Sequence, residues 1–164
     1  MQTINKNNFL IELSESKRTS FGKIDFEKQS PAQKVFSSVW SVESEVNNGE
    51  FEQYFSNPSV ETAGCVVGAL TEIKAHKTAA ICERAIQLVF PSGLPPAHIA
   101  SDQAAEMDEV KAQKLEKYTD DFLKYPHDLT ELLYDFVMSH TEEFKEAEFK
   151  EKPGILQKLL DFFK

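Results

Sequence analysis

The sequence predicts an all-α fold, a single compact multi-helix domain with an irregular N-terminal segment and an amphipathic C-terminal helix. Several segments repeat apolar residues at the three- and four-residue spacing of a helix face. No segment alternates apolar and polar residues over the length of a convincing strand. A chain of 164 residues, with 41% hydrophobic and 27% charged residues, is also long enough to bury a core without a disulfide or a structural metal.

Residues 1–29 are predicted to form an N-terminal extension. Its apolar residues, Phe9, Leu10, Ile11 and Leu13, are compatible with a short strand or a short helix, and residues 14–27 are polar and loop-like. The first residues lack the basic region and long apolar run of a signal peptide. We therefore expect no secretion signal here.

A helix is predicted to begin after Ser30. Ser30 is a typical N-cap residue, Pro31 suits the first helical position, and Gln33 completes a capping box. Asn48-Gly49 is expected to end this helix, because glycine readily adopts the left-handed conformation that follows a helix C-terminus. The residues from Phe51 to Phe55 then predict a short second helix.

The remaining elements follow from their apolar faces and their capping residues. We predict a helix over 63–73 that is capped by Ser59 or Thr62, and a second helix over 77–90. A linker follows over 91–96, and a long helix then starts at Ser101 and reaches Tyr118 or Leu123. The last predicted elements are a helix capped by Asp128 and one or two turns within 141–152. Residues 30–150 are together predicted to form the helical domain.

Residues 151–164 are predicted to form an amphipathic C-terminal tail. Its apolar residues are Ile155, Leu156, Leu159, Leu160, Phe162 and Phe163. They either pack on the core or contact a second copy of the chain or another partner, because so much exposed apolar surface is unusual on a monomer. The sequence therefore leaves a homodimer open.

The search for catalytic chemistry finds no strong motif. The sequence has neither a phosphate-binding glycine loop nor a G-x-S-x-G nucleophile elbow. The four histidines lack the spacing of metal ligands. The two cysteines, Cys65 and Cys82, lie in apolar helical patterns that favour buried free thiols. We therefore predict no catalytic residue, no metal and no cofactor.

The net charge of −9 restricts the classes of partner. Negative charge repels the phosphates of nucleic acids and of anionic membranes, so neither is an expected direct partner. The longest apolar runs are also far shorter than the roughly 20 residues of a membrane-spanning helix. We expect a cytoplasmic protein whose charge either maintains solubility or binds basic surfaces.

Most of this charge lies in residues 99–150, which hold 14 acidic residues and six lysines. Eight of the acids are candidate partner-binding residues: Asp102, Glu106, Glu109, Glu116, Asp120, Asp128, Glu131 and Asp135. On one continuous helix, the first five of these would fall within a narrow stripe, since a helix turns about 100° per residue.

Two interpretations of these acids remain open. They form an ordinary solvated helix face, moderated by neighbouring lysines, or they form a rigid array of negative charges. Carboxylates one helical turn apart lie about 6 Å from each other along the axis. This distance is comparable to the spacing of phosphates along a nucleic-acid strand. Such an array can occupy the basic groove of a DNA-binding protein.

One stretch of the chain resembles a known family. The string Glu45-Val46-Asn47-Asn48-Gly49, followed by Phe51, Gln53-Tyr54-Phe55 and Asn57, resembles the signature of the bacterial DNA-mimic-protein-like domain. The resemblance continues through Lys77-Thr78-Ala79, Glu83-Arg84-Ala85, Phe90-Pro91 and the helix at 129–136, and it covers about residues 30–145. Glu50 departs from the pattern, because the family usually has a second glycine there.

This resemblance implies an all-α domain without known catalytic activity. The family includes an acidic dimer that imitates DNA and takes a transcriptional repressor off its operator. The implied partner is therefore a basic protein, such as a DNA-binding transcription factor. The implied activity rests on surface charge and not on the signature.

The signature residues Glu45, Asn47, Asn48, Gly49, Phe51, Gln53, Tyr54 and Phe55 admit two roles. Asn47, Gln53 and Tyr54 either line a polar pocket or hydrogen-bond the backbone where the helices end, and we predict the structural role. Two alternative functions follow. One is a small ligand-binding protein or enzyme that uses the Asn47–Tyr54 polar cluster. The other is a toxin-neutralising immunity protein, which would also be small, acidic and helical.

Overall fold

The structure is a computed structural model that describes residues 4–145. Over this range the chain forms eight α-helices, three 3₁₀ helices and no strand, which confirms the all-α prediction. The α-helices are α1 Lys6–Ser14, α2 Pro31–Ser56, α3 Ala63–Glu72, α4 His76–Val89, α5 Ala97–Ala105, α6 Glu109–Leu123, α7 Leu129–Ser139 and α8 Thr141–Phe144. The predicted tail, residues 151–164, lies outside the described residues.

The other helices assemble around α2, which contacts α3, α5, α6, α7 and α8. Its buried apolar residues are Ala32, Phe36, Val39, Val42, Val46, Phe51, Tyr54 and Phe55. Near its C-terminal end the ring of Phe51 packs on Phe122 at 5.7 Å between centroids, and Phe55 packs on Phe90 at 5.5 Å. Burial of such rings is the main favourable term in folding.

Two of the predicted helix starts are confirmed by their hydrogen bonds. The hydroxyl of Ser30 accepts from the Gln33 backbone N–H, and the Gln33 side chain accepts from the Ser30 backbone N–H at 3.0 Å. The Asp128 carboxylate accepts from the Glu131 backbone N–H at 3.0 Å. Both contacts satisfy donors that a helix N-terminus leaves free.

The predicted cap of the third helix is wrong. Residues 58–62 form a 3₁₀ helix that leads directly into α3, and neither Ser59 nor Thr62 caps α3 through its side chain. The Thr62 hydroxyl donates to the Ser59 carbonyl oxygen and accepts from the Tyr54 hydroxyl at 2.8 Å. A competing tertiary hydrogen bond has therefore replaced the local cap.

The N-terminal residues, for which the sequence left strand and helix open, form a helix. α1 packs on α7, where the rings of Phe9 and Tyr134 lie 5.3 Å apart. Phe21, in the 3₁₀ helix Phe21–Lys23, packs between Phe36 and Phe144 at 5.2 Å from each. Residues 4–29 therefore contribute buried side chains to the same core as α2.

The predicted helix end at Asn48-Gly49 is a kink inside α2. Only Gly49 (φ −164°, ψ 31°) and Glu50 (φ 67°, ψ −178°) leave helical geometry, and the helix resumes at once. The prediction that Gly49 adopts the left-handed conformation is wrong, because Glu50 carries the positive φ. That backbone region is populated almost exclusively by glycine, so Glu50 is strained.

The surroundings of Phe51 and Gly49 accommodate the bend at this point. The backbone N–H of Phe51 donates to the Thr119 hydroxyl of α6 at 3.3 Å, so one donor freed by the kink is satisfied across the core. A Cβ atom at position 49 would lie 2.0 Å from Oε1 of Gln53. A larger residue at 49 would displace the Gln53 side chain, so glycine is favoured there for space, and not for a left-handed backbone.

The predicted long helix from Ser101 to Leu123 is also wrong. The chain forms α5, a break at residues 106–108, and α6. Asp108 causes the break, since its carboxylate accepts from the Lys111 backbone N–H at 2.8 Å and starts a new helix. Ser101 lies inside α5, which begins directly after Pro96, and its hydroxyl donates to the Ser56 carbonyl oxygen.

We expect Glu50→Gly to raise the free energy of unfolding by about 1 kcal/mol. Glycine relieves a conformation that costs roughly 1–3 kcal/mol, against up to about 1 kcal/mol of added freedom in the unfolded chain. Chemical denaturation measures the change. Glu52→Gly is the matched control, because Glu52 is exposed and helical, and it should lower stability by about 1 kcal/mol. Equal losses in both variants would contradict strain at Glu50.

Candidate functional site

The α5–α6 corner concentrates negative charge. Asp102 and Glu106 belong to α5 and its C-cap, and Asp108 and Glu109 start α6. All four are exposed. No lysine or arginine occurs between Arg84 and Lys111, so no basic residue in that stretch of chain offsets these acids.

α6 carries the rest of the predicted stripe on a single face. Glu116 and Asp120 follow Glu109 by 7 and 11 residues, which places all three within about 40° around the helix and over roughly 16 Å of its length. Leu115, Thr119 and Phe122 bury another side of α6. The break at 106–108 means that Asp102 and Glu106 do not continue this stripe on one helix. The predicted five-residue stripe is therefore two separate groups of acids.

The acids of α7 differ from those of α5 and α6, because α1 supplies them with a cation. The Lys6 ammonium forms an ion pair with Glu131 and lies 3.7 Å from Asp135. It also lies 5.0 Å from the centre of the Tyr134 ring. Asp128 is engaged as the cap of α7. These three predicted residues are exposed, but their charge is partly compensated within the fold.

The α5–α6 carboxylates, by which we mean Asp102, Glu106, Glu109, Glu116 and Asp120, differ from the α7 acids because none of them is paired with a cation in the described part of the chain. Within residues 4–145 none of the five forms an ion pair with a lysine, arginine or histidine. Exposed carboxylates that form no ion pair produce a field that attracts a basic surface, although Asp120 lies close enough to Lys124 to raise the pKa of that lysine. The structure thus separates the eight predicted acids by their neighbours, which the sequence did not indicate.

The polar signature residues hydrogen-bond other side chains. Oε2 of Glu45 accepts from the side-chain amides of Gln53 at 2.7 Å and of Asn57 at 3.0 Å, which joins the two halves of α2 across the kink. The Tyr125 hydroxyl donates to Oδ1 of Asn47 at 2.7 Å. These partners are side chains and not the backbone ends that the sequence analysis expected.

The aromatic signature residues are interior. Phe51, Tyr54 and Phe55 are fully buried and stack against each other and their neighbours. Burial raises the pKa of the Tyr54 hydroxyl, which stays protonated as the donor to Thr62. Asn48 and Glu50 are exposed, and Gly49 lies against Gln53. The signature therefore surrounds the kink with bonded polar groups outside and packed rings inside.

Glu43 is a titratable residue that was not among the candidate residues predicted from the sequence. Its side chain is half-buried on α2, where burial, and secondly the charge of Asp128, raises its pKa to about 7. The sequence did carry a signal, because Glu43 is the one polar residue among the apolar positions of this helix face. A carboxylic acid that titrates near neutral pH in this position makes stability dependent on pH.

A cleft of about 670 Å³ lies beside the acidic corner. One wall is the segment from Val89 to Pro95, and the other is formed by Gln103, Glu106, Met107, Asp108 and Lys111. A smaller cleft of about 270 Å³ lies between residues 22–29 and the helix α2. Neither cleft is lined by the Asn47–Tyr54 polar cluster.

The structure also gives the surroundings of the metal-ligating and nucleophilic residue types. Among residues 4–145, no three His, Cys, Asp or Glu side chains lie close enough together to hold a metal ion. Both cysteines are free thiols; Cys82 is buried, which raises its pKa, and Cys65 is half-buried. The described helices include none with the length and apolarity to cross a bilayer.

Comparison with known proteins identifies the family. A family model described as "DMP19-like protein" matches residues 27–140. The chain belongs to this family. The match begins just before α2 and ends after α7, so it contains the signature and all eight predicted acids, whereas α1 precedes it. No curated protein and no solved structure matches the chain.

Membership of the DMP19-like family confirms the resemblance seen in the sequence. It is a family of DNA-mimic proteins, and it is not a known family of enzymes. The matched range agrees closely with the predicted range of about 30–145.

We expect Glu45→Ala to lower the free energy of unfolding by about 1–2 kcal/mol. The amides of Gln53 and Asn57 would lose their shared acceptor while they remain half-buried. Urea denaturation checks this. Asn48→Ala is the control, because the exposed Asn48 side chain has no hydrogen bond within the described residues, and it should leave stability unchanged. Similar free energies of unfolding for the two variants would show that Glu45 does not stabilise the kink.

We expect Glu43→Gln to reduce the pH dependence of folding. Between the ordinary pKa of 4.5 and the folded value of about 7, the unfolded chain loses the Glu43 proton and the folded chain keeps it. The stability of the parent protein should therefore fall as the pH rises through this window. The full effect is roughly 3 kcal/mol, since one pKa unit corresponds to about 1.4 kcal/mol.

Denaturation at pH values across this window tests the assignment to Glu43. The difference in stability between Glu43→Gln and the parent should grow in favour of the variant as the pH rises. Glu52→Gln removes an exposed carboxylate from the same helix and should follow the parent curve. Parallel curves for Glu43→Gln and the parent would mean that Glu43 titrates like an exposed carboxyl group.

Proposed function

We propose that this protein is a non-enzymatic interaction protein that acts as a DNA mimic. It binds a basic, DNA-binding protein, such as a transcription factor, through the α5–α6 carboxylates. The observation that carries the proposal is the exposure of these five acids without an ion pair in the described part of a DMP19-like chain. The proposal includes a cytoplasmic location, where such a partner would be met.

The physical basis is competition for one basic surface. The partner's lysine and arginine side chains bind DNA phosphates, and they can bind carboxylates that are arranged in a comparable way. DNA and this protein therefore cannot occupy that basic surface at the same time. Glu109, Glu116 and Asp120 are held on one side of α6 by the burial of another side, so the array is ordered before binding. An ordered array loses little conformational freedom when it binds.

The structure supports unequal roles for the eight predicted acids. Glu131 and Asp135 already share Lys6, so a basic partner would have to compete with that lysine for them. Asp128 is needed as the cap of α7. The proposal therefore assigns the main contribution to the α5–α6 carboxylates and a smaller one to the acids of α7.

The alternative functions have less support. The Asn47–Tyr54 cluster has its polar groups bonded to neighbouring side chains and its rings packed in the core, which favours a structural role over a ligand site. An immunity protein would share the acidity and the helices, and genomic neighbourhood would distinguish it. Dimer formation through residues 151–164 stays a prediction.

Reversal of charge tests the proposal. Partners captured from native lysate at low salt should be DNA-binding proteins. High salt should release them because it screens the carboxylates, and added duplex DNA should release them because it competes for the same basic surface. The combined change Glu106→Lys, Glu109→Lys and Glu116→Lys should abolish this capture. The readout is the amount of each partner retained, with and without the duplex.

A matched variant shows whether the loss of capture comes from the change at the α5–α6 carboxylates or from the change in net charge. Glu52→Lys, Glu72→Lys and Glu83→Lys alter three exposed acids elsewhere and change the net charge by the same amount. Capture should survive in this control. Full capture by the α5–α6 variant, or capture that duplex DNA does not reduce, would refute mimicry by these residues.

A further inference from the structure

The cleft beside the acidic corner has the size of a binding site. Its volume of about 670 Å³ lies within the range of roughly 300–1,000 Å³ that is typical of ligand pockets. Buried Val89 and Phe90 and half-buried Leu94 and Met107 are among its lining residues. The cleft therefore offers apolar surface within a strongly acidic part of the molecule, which pure imitation of a polyanion does not require.

One wall of the cleft is stiffened by its sequence. Pro91 and Pro95 have fixed φ angles, and the Gly93 backbone N–H donates to the Phe90 carbonyl oxygen at 3.0 Å to close a turn. Gly93 has a φ of 99°, which glycine adopts without strain. A wall that is shaped in advance reduces the entropy cost of binding.

The opposite wall adds charge. Glu106 and Asp108 line the cleft, and Lys111 is the single basic residue among its described lining residues. Ile99 is 40% exposed and precedes Gln103 and Glu106 by four and seven residues, so it lies on the same side of the helix. Ile99 is not one of the described residues that line the cleft, so the aliphatic surface that a ligand meets beside these carboxylates is that of Met107 and Leu94.

We propose that this cleft binds a short, extended, basic segment of the partner protein, and that an apolar side chain of the segment inserts against Leu94 and Met107. The inference rests on the proposed function, because it assumes a basic partner. Charge complementarity selects this occupant, since the carboxylates attract lysine and arginine and repel nucleic acid. The apolar surface favours those basic partners that have an apolar side chain to insert.

Fluorescence anisotropy with synthetic peptides tests the cleft on the full chain. The probe is a labelled eight-residue peptide in which two leucines separate three pairs of lysine and arginine. One comparison peptide has glycine in place of leucine, and another has serine in place of every basic residue. We expect the first peptide to bind at least about tenfold more tightly than either comparison peptide, because the glycine peptide lacks the apolar side chain that the cleft buries and the serine peptide lacks the charges that the carboxylates attract.

Variants of the protein place this preference in the cleft. Ser92→Trp fills the cleft from an exposed position on one wall, and Gln103→Lys adds a cation to the other. Each should weaken binding of the leucine peptide by about tenfold, which corresponds to about 1.4 kcal/mol. Gln87→Lys, an exposed change on α4 outside the cleft lining, is the matched control and should alter the Kd less than twofold.

The possible results distinguish the cleft from the proposed function. If the leucine and glycine peptides bind equally and the α5–α6 reversal abolishes both, the cleft is refuted and the acidic surface stands. Equal binding of the uncharged leucine peptide would refute a basic occupant. If Ser92→Trp instead converts a dimer of this chain to a monomer in sedimentation, a second copy occupies the cleft and the proposal is overturned.

Discussion

The kink at Gly49–Glu50 is the constraint on which the arrangement of the other helices depends. It allows one helix, α2, to pack its first half against Phe21 and Phe144 and its second half against Phe122 and Phe90. The cost of the bend is the strained backbone of Glu50. Three interactions offset it: the Phe51–Thr119 hydrogen bond, the Glu45 carboxylate across the bend, and the burial of Phe51.

The bend also positions the acids. Thr119 and Phe122 hold α6 against the second half of α2, and they bury one side of α6 while Glu116 and Asp120 remain exposed on another. α5 is fixed to the same half, where Ser101 donates to the last residue of α2. The signature residues at the kink therefore help to position the helices that carry the α5–α6 carboxylates, although no signature residue is itself one of these carboxylates.

Features that depend on neighbouring residues left a signal in the sequence, which was overlooked at Asp108, and features that depend on tertiary contacts left none. Ser30, Gln33 and Asp128 form their caps within three residues, so their pattern sufficed. The five-residue acidic stripe failed because it assumed helix continuity, and Asp108 is a cap that was not recognised. The kink at Glu50 is accompanied by the Phe51–Thr119 hydrogen bond, which joins residues 68 positions apart. Lys6 and Glu131 are 125 residues apart, and no local pattern connects them.

A mimic of DNA faces a problem of selectivity that charge alone does not solve. Every DNA-binding protein presents a basic surface, and exposed carboxylates accelerate association with all of them while adding little discrimination. Discrimination requires a contact that some basic proteins can make and others cannot. The cleft of this chain joins Leu94 and Met107 to the acids Glu106 and Asp108. In the proposed complex, an apolar side chain beside a cation contacts both groups, so shape adds to charge in the selection of the partner.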